Sequence, residues 1–413
     1  MNVSELLNRH LPGEVLALLR EAGERAQGRG CQLYLVGGVV RDLFLGRDNL
    51  DLDAVVEGDA IGLAKGLAEG RDVRLVTHGR FGTAKLRFST FSLDIATART
   101  ETYSHPGALP RVMPGSITED LKRRDFSINA MAVRLNPGRF GELLDPLGGK
   151  EDLERGIVRV LHERSFIDDA TRILRGIRYE QRLGFRFEEE TERLLRRDVK
   201  MLHTISGDRL RHELERILEE DEPERAFRRA EELGVLKELH PSLRGNGWLA
   251  NAFRKARRNK RTPPVSLYMC LLCYHLEEGE AQELLKRLKF PAGVAKSVLD
   301  TVRLKQEVGR LGSEDIKPSA VYELLHAYDN VAVEANLLAA ESAQARRHLQ
   351  LYLTKLRYVK TLLDGVDLAM LGIPVGPAIG EALSALKAAR LDGKLRTRSD
   401  EVEFVRSHFL RQG

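Results

Sequence analysis

The sequence has few cysteines and lacks long apolar runs. Three cysteines in 413 residues are too few for a disulfide framework and are typical of a reducing compartment. No apolar stretch approaches the roughly 18 residues that a membrane-spanning helix requires, and the first residues carry no signal-peptide cleavage pattern. These absences predict a cytoplasmic protein that does not contact a membrane.

The chain also lacks a strong excess of either charge. Its 66 Lys and Arg residues and 61 Asp and Glu residues give a formal net charge of +5. This mild excess permits a polyanionic partner without requiring one. With 42% hydrophobic and 31% charged residues, a chain of this length is expected to form about two to four soluble domains.

The stretch LYLVGGVVRDLFLGRDNLDLDAVVE, close to the N-terminus, predicts a strand, a glycine turn, a short helix and a second strand. The second strand carries Asp51 and Asp53. Because alternate residues of a strand share a face, the two carboxylates should lie side by side, with Leu52 in the core. Such carboxylates repel each other unless a cation lies between them. Mg²⁺ suits this position, because it accepts a few carboxylates and completes its coordination with water and phosphate oxygens.

The turn at Gly37 and Gly38 allows backbone N–H groups to approach a triphosphate. Twelve residues separate Gly38 from Asp51. Together the turn and the carboxylate pair predict phosphoryl or nucleotidyl transfer. The alternative is an ordinary α/β turn with acidic caps.

The combination of GGVVRD and DLD resembles the class II tRNA nucleotidyltransferase and bacterial poly(A) polymerase family, within the polymerase-β-like nucleotidyltransferases. The resemblance implies that Asp51 and Asp53 hold Mg²⁺ for catalysis. It also implies that the GGVVRD motif binds the triphosphate through Gly37, Gly38, Arg41 and Asp42.

A third carboxylate on a neighbouring strand is usual in this superfamily. The segments TAKLRF and FSLDIA alternate like the two strands of a hairpin, and Asp94 lies in the second. The resemblance makes Asp94 a candidate catalytic carboxylate. The alternative is a solvent-facing strand residue.

From Thr97 to Asp120 the periodicity is lost and prolines and glycines accumulate. The segment resembles the flexible loop of family members that add the terminal adenosine. The following RRDFSINAMA matches the family motif RRDFxxNAxA. It implies that Arg124 pairs with phosphate, and that Asp125 and Asn129 bind a ribose hydroxyl. The alternative is that Asp125 only caps a helix.

The segment RSFIDDATRILRGIRYEQRLGF predicts a helix on which Asp169 and Arg172 share a face, continued by Arg175 and Arg178. It resembles the family motif EDxxR, with Asp168 in place of Glu, whose Asp and Arg read the incoming base. Arg offers only donors and carboxylate only acceptors, which suits cytosine and adenine. Uracil or guanine would leave one buried group unsatisfied, at about 1–3 kcal/mol. The alternative is an intrahelical salt bridge. Arg175 and Arg178 are expected to neutralise phosphate and hold the helix face.

The rest of the chain is helical in pattern. Arg209 lies where the family often has an arginine that steadies the base-reading helix, although a solvated helix face is the simpler interpretation. The basic run from Arg254 to Arg261 is either a solvated face or a contact to RNA phosphates. The single CxxC motif of Cys270 and Cys273 lies in an apolar helix and predicts core packing.

The sequence therefore predicts an α+β protein with a polymerase-β-like nucleotidyltransferase head, followed by all-α neck, body and tail domains. The expected boundaries are 1–145 for the head, 146–220 for the neck, 221–290 for the body and 291–413 for a tRNA-binding tail. The resemblance implies addition of CCA to the 3′ end of tRNA from CTP and ATP. Three alternatives stay open: addition of only the final A, poly(A) synthesis, and RNA binding without catalysis. The oligomeric state is not indicated.

Overall fold

The computed structural model describes residues 1–108, 110–259 and 262–410, except for the side chains of Arg80 and Asn259. The chain divides into two compact units. The first comprises Met1–Glu220 and Glu232–Glu238, and the second comprises Asp221–Glu231 and Leu239–Gly413. The finer division into head, neck, body and tail stays a prediction.

The strands all lie in the first unit, as far as the chain is described. They are β1 (Leu33–Val36), β2 (Asp51–Val56), β3 (Arg74–His78), β4 (Thr83–Arg87), β5 (Ser92–Thr97), β6 (Arg99–Thr102), β7 (Arg111–Pro114), β8 (Ala132–Arg134), β9 (Leu143–Leu144), β10 (Ile157–Val158) and β11 (Arg186–Phe187). Seven of them form one mixed sheet in the order β3-β4-β5-β2-β1-β8-β9. The pairing of β2 with β5 is parallel and the other pairings in this sheet are antiparallel. This sheet and the surrounding helices confirm the predicted α+β class.

The sheet register places the two predicted metal carboxylates next to the glycine turn. Strand β1 is buried along its whole length, and its last residue, Val36, pairs with Asp53 of β2. On its other side, Asp53 pairs with Asp94 of β5. The glycine turn follows β1 directly and leads into a short helix over Gly38–Phe44. The predicted succession of strand, turn, helix and strand is therefore confirmed.

The expectation of an irregular segment from Thr97 to Asp120 is partly wrong. Strands β6 and β7 pair as an antiparallel ribbon, and a helix begins at Ile117. Hydrophobic periodicity could not predict this ribbon, because most of its residues are polar and both of its faces are partly exposed. Without an apolar face there is no alternation to detect.

Ten α-helices are described between residues 1 and 220. They are α1 (Ser4–His10), α2 (Gly13–Gly28), α3 (Gly38–Phe44), α4 (Ala60–Ala68), α5 (Ile117–Lys122), α6 (Gly149–Arg155), α7 (Ser165–Asp168), α8 (Thr171–Leu183), α9 (Glu189–Asp198) and α10 (Gly207–Leu218). Helix α5 begins with a capping box formed by Ser116 and Glu119. Helix α8 buries Ile173, Leu174 and Ile177, as the sequence predicted.

The remaining described helices are α11 (Pro223–Glu232), α12 (Val235–Leu239), α13 (Gly247–Asn259), α14 (Val265–Leu272), α15 (Glu278–Arg287), α16 (Ala292–Glu307), α17 (Pro318–Leu325), α18 (Asn330–Ala339), α19 (Ala343–Thr354), α20 (Gly365–Met370), α21 (Pro377–Leu391) and α22 (Arg398–Phe409). The described part of the second unit contains no strand, as predicted. Two of its apolar clusters centre on residues of α16 to α19 and of α20 to α22. In the described ranges, no helix combines the length and apolar character that crossing a bilayer requires.

The cysteine motif and the basic run both lie in the second unit. Cys270 and Cys273 are fully buried, and burial raises the pKa of both thiols, which confirms core packing. Within the basic run, the guanidinium of Arg257 pairs with Glu224. Lys260 and Arg261 lie outside the described residues, so the function of this run stays a prediction.

Candidate active site

A cleft of about 970 Å³ opens in the first unit. Its lining includes twelve of the fourteen residues predicted to act in catalysis or nucleotide binding. These are Gly37, Gly38, Arg41, Asp51, Asp53, Arg124, Asp125, Asn129, Asp169, Arg172, Arg175 and Arg178. The two that do not line it are Asp42, which is buried, and Asp94. Three separate sequence motifs therefore converge on one cleft.

The carboxylates of Asp51 and Asp53 lie on the same face of β2, and both residues are exposed while Leu52 between them is fully buried. Asp51 Oδ1 accepts a hydrogen bond of 2.9 Å from Ser92 Oγ. A methyl group added at Gly37 would lie 3.6 Å from Asp53 Oδ2. The predicted arrangement, a carboxylate pair beside a glycine turn, is confirmed.

The electrostatics of Asp53 suit a cation ligand. Although Asp53 is open to the cleft, the surrounding protein partly desolvates its carboxylate and raises its pKa to about 6. Arg124 opposes this rise, and the negative charges of Asp51 and Asp94 add to it. A cation bound here would relieve that repulsion. No group of three or more His, Cys, Asp or Glu side chains in the described ranges is arranged to hold a metal. The two carboxylates fit Mg²⁺, which tolerates few protein ligands because water and phosphate oxygens complete its shell.

Asp94 lies beside this pair but is bound to a lysine. Its Oδ2 accepts a hydrogen bond of 2.7 Å from Lys85 Nζ, which also lies 3.7 Å from Asp51 Oδ1. Asp94 is thus neither a simple solvent-facing residue nor part of the cleft lining. Its role as a third catalytic carboxylate stays a prediction.

Asp125 is a saturated hydrogen-bond acceptor. Its Oδ1 accepts from the backbone N–H of Phe126 and from Asn129 Nδ2, and its Oδ2 accepts from both Nε and Nη2 of Arg175. Burial alone would raise its pKa, but Arg175 and the bond from Asn129 outweigh burial and lower the pKa to about 2. All four acceptor positions of the carboxylate are occupied.

The GGVVRD motif joins the same buried network. Arg41 donates to Asn129 Oδ1 over 2.8 Å, and its other nitrogens donate to both oxygens of Asp42. Asn49 Nδ2 also donates to Asp42. Arg41 and Asp42 are 3% and 4% exposed. Asp42 therefore lies behind the cleft wall, where its two oxygens orient the guanidinium of Arg41. Their binding of the triphosphate stays a prediction.

The expected helical pair of Asp169 and Arg172 is wrong in its local structure. Helix α8 begins only at Thr171, and Asp169 precedes it with an extended backbone. Asp169 Oδ1 accepts from the N–H and the hydroxyl of Thr171. An aspartate whose side chain accepts from the backbone N–H two residues ahead favours a turn over the helical conformation at its own position. Both side chains nevertheless line the cleft.

Asp169 and Arg172 also do not form the intrahelical salt bridge that was the alternative; each has another partner. Asp169 Oδ2 accepts from Arg209 Nη2 over 2.7 Å, so Arg209 contacts the segment predicted to read the base and is not only part of a solvated helix face. Arg172 Nη2 donates to the backbone oxygen of Arg123 over 2.8 Å. Arg172 Nη1 is buried and has no hydrogen-bond partner within the described part of the chain. Arg172 therefore has one unsatisfied donor just behind the cleft wall.

Several cleft residues were not predicted from the sequence; they lie at the end of β6, just after α5 and on α10. Tyr103 donates to Glu101 over 2.9 Å, and Arg123 donates to the other oxygen of Glu101 over 2.8 Å. His212 and Arg216 extend the wall along α10. The spacing of Arg209, His212 and Arg216 by three and four residues, on one helix face, was an available signal.

Gly37 offers a direct test of the turn. Its φ of +74° and ψ of −137° are accessible essentially only to glycine, and a methyl group there would lie 3.1 Å from Arg124 Nη1. We expect Gly37→Ala to destabilise the first unit by about 1–3 kcal/mol and to lower nucleotide incorporation at least about tenfold by displacing Arg124 and Asp53. Thermal unfolding and steady-state incorporation measure the two effects.

Gly70→Ala is the matched control, because Gly70 has a φ of +70° but its added methyl group would meet nothing within 4 Å. It should lose stability and keep its activity. Equal activity losses in the two variants would show that backbone strain alone, and not the contact with the carboxylate site, is responsible.

The mixed sheet, the paired carboxylates on β2 and the adjacent glycine turn define the class of polymerase-β-like nucleotidyltransferases. The family model "Poly A polymerase head domain" matches residues 33–159, and "Probable RNA and SrmB- binding site of polymerase A" matches residues 184–245.

Known relatives narrow this class to a family. The A-adding tRNA nucleotidyltransferase of Halalkalibacterium halodurans is 32% identical over 99% of this chain and 96% of that relative. The A-adding enzyme of Geobacter sulfurreducens is 36% identical over 98% of this chain, which spans about half (48%) of that relative's length. The structure of the Thermotoga maritima CCA-adding enzyme complexed with tRNA(CCA) matches with a TM-score of 0.79 at 34% identity, covering 98% of each chain. The chain belongs to the tRNA nucleotidyltransferase and poly(A) polymerase family.

Proposed function

We propose that this chain is a cytoplasmic enzyme that adds CCA to the 3′ end of tRNA from CTP and ATP without a nucleic-acid template. The observation that carries the proposal is the convergence, in one cleft, of a carboxylate pair, a glycine turn and the pair formed by Asp169 and Arg172. The first two suit transfer of a nucleotide, and the third suits discrimination between bases.

Asp51 and Asp53 would hold Mg²⁺ through their carboxylate oxygens. When bound, the ion supplies Lewis-acid chemistry, which lowers the pKa of a hydroxyl nucleophile and neutralises phosphate charge. Gly37 and Gly38 let the main chain approach phosphate oxygens, because no side chain intervenes. Arg124, whose Nη1 lies at the Gly37 turn, adds a positive charge at the same place.

Base selection is assigned to Asp169 and Arg172. Three of the four acceptor positions of Asp169 are used, by Thr171 twice and by Arg209 once, so one remains on Oδ2 for an exocyclic amino group. The unpartnered Nη1 of Arg172 can donate to a ring nitrogen or carbonyl. Cytosine and adenine each present one donor beside one acceptor, which matches this pair.

We keep the proposal that Asp125 and Asn129 bind a ribose hydroxyl, but Asp125 has no free acceptor position for it. Asp125 can accept a bond from a ribose hydroxyl only by exchanging one of its four present bonds. Without such an exchange, Asp125 contributes by orienting Asn129 and Arg175. Arg175 and Arg178 line the cleft, but Arg175 is paired with Asp125, and Arg178 lies near Glu213 and Glu220, so a phosphate neutralised by them would compete with these carboxylates.

Addition of the final A alone is the second candidate. Both relatives described above are named A-adding enzymes, whereas the tRNA-bound structure is named a CCA-adding enzyme. The head-domain match includes the segment that resembles the flexible loop of adenosine-adding members. Similarity therefore supports transfer of A to tRNA under both candidates.

The product distinguishes these functions. We expect tRNA that ends at the discriminator base, supplied with CTP, ATP and Mg²⁺, to acquire CCA, as read by sequencing its 3′ end. If that tRNA is not extended while tRNA ending in CC gains one A, the chain is an A-adding enzyme. Extension of an unrelated RNA by many adenosines would indicate a poly(A) polymerase. Tight tRNA binding without nucleotide consumption would indicate an idle RNA-binding protein.

A further inference from the structure

Lys85 lies among three carboxylates on the exposed face of the sheet. It pairs in register with Asp94 across β4 and β5, and Asp94 pairs in register with Asp53 across β5 and β2. Because paired residues on neighbouring strands point to the same face, Lys85, Asp94, Asp53 and Asp51 all project from that face. The motifs that define the family do not include this lysine.

The ammonium group of Lys85 lies close to two carboxylates. Its Nζ lies 2.7 Å from Asp94 Oδ2 and 3.7 Å from Asp51 Oδ1. Its side chain is 29% exposed, so water screens these contacts only in part. The ammonium group thus neutralises Asp94 and attracts one of the two carboxylates assigned to the metal.

We propose that Lys85 is a positioning residue that acts as a built-in counter-cation and limits the affinity of the Asp51 and Asp53 site for a divalent ion. This inference rests on the metal site of the proposed function. A divalent ion near Asp51 must approach the positive charge of Lys85, which weakens its binding. In return, Lys85 holds Asp51 and Asp94 in place when no metal is bound, since without it the carboxylates would repel each other.

The test is a titration of the nucleotide-free full chain with Mn²⁺. Electron paramagnetic resonance of the free ion measures how much Mn²⁺ is bound. We expect Lys85→Met to bind Mn²⁺ roughly tenfold more tightly than the wild type, because a positive charge next to the site is removed. Lys85→Arg retains the charge and should bind within about twofold of the wild type. Arg87→Met is the matched control: Arg87 is exposed two residues further along β4, and its removal should change the affinity by less than about twofold.

Asp53→Asn separates failure of this inference from failure of the metal site. If the wild type binds no Mn²⁺, or binds it as well as Asp53→Asn does, the metal site is wrong and the inference is wrong with it. If Asp53→Asn loses binding but Lys85→Met binds no more tightly than the wild type, the role of Lys85 alone is overturned. Thermal unfolding checks that each variant is folded, and Lys85→Gln replaces Lys85→Met if the latter is not.

Discussion

Asp53→Asn is expected to lower nucleotide incorporation into tRNA by at least about 10³-fold. A metal ion at a phosphoryl-transfer site contributes several kcal/mol of transition-state stabilisation, and each 1.4 kcal/mol is a factor of ten in rate. Asparagine has almost the same shape but no charge, so the sheet register beside Val36 should be retained. Single-turnover extension of tRNA ending in CC with labelled ATP measures the loss.

Asp72→Asn is a suitable control because Asp72 is an exposed acid of the first unit that does not line the cleft. It should extend tRNA at the wild-type rate. Undiminished incorporation by Asp53→Asn, at an unchanged melting temperature, would remove the basis for assigning an enzymatic function to this cleft.

Arg175→Met is expected to destabilise the region around α8 by about 3–5 kcal/mol, the usual cost of removing one partner of a buried ion pair. Asp125 is 8% exposed and receives two of its four hydrogen bonds from Arg175. Methionine preserves much of the packing but leaves a buried carboxylate without its counter-ion. Because the chain has two compact units, the effect is best measured locally, by native-state hydrogen exchange of the α8 amides.

The pH dependence of this variant follows from the pKa of Asp125. In the folded protein the pKa is lowered from 3.8 to about 2, so its ion pair stabilises the fold above about pH 4 and is lost as the pH falls through 2. In the variant, burial without Arg175 raises the pKa of Asp125. The difference between wild type and Arg175→Met should therefore be largest near neutral pH, shrink as Asp125 of the variant takes up a proton, and be largely lost by about pH 2.

Arg182→Met, on the same helix, is the control for the loss of an arginine. Its side chain is 44% exposed and lies 3.9 Å from Glu220, so its removal should cost less than about 1 kcal/mol. A similar loss of protection in both variants would mean that the pair of Asp125 and Arg175 contributes no more than a surface contact does.

Much of the site could be predicted because its signals are local. Alternation in DLD placed Asp51 and Asp53 on one face, and the glycine turn could be read from two adjacent residues. Family resemblance then identified residues of three motifs that line one cleft. Each of these inferences depends on residues close together in the chain, where backbone geometry is dictated by the local sequence.

Other features depended on partners that are remote in sequence. Asp169 was expected to share a helix face with Arg172, three residues away, but it precedes the helix and pairs with Arg209, which is 40 residues away. Lys85 entered the carboxylate cluster only through strand pairing, and Arg123 is held by Glu101 of a ribbon with no apolar periodicity. An arginine or lysine can reach many carboxylates, and its sequence neighbourhood does not indicate which one it will meet.

The sequence by itself determined the succession of strand, turn, helix and strand around Gly37 and Gly38, the carboxylate pair and the motifs that converge on the cleft. Only the tertiary structure decided which charges neutralise each other: Asp125 with Arg175, Asp169 with Arg209, and Lys85 with Asp94. The physical reason is that hydrophobic periodicity is a local property of the chain. The pairing of charged groups is decided by distance in space, after the sheet and helices have packed.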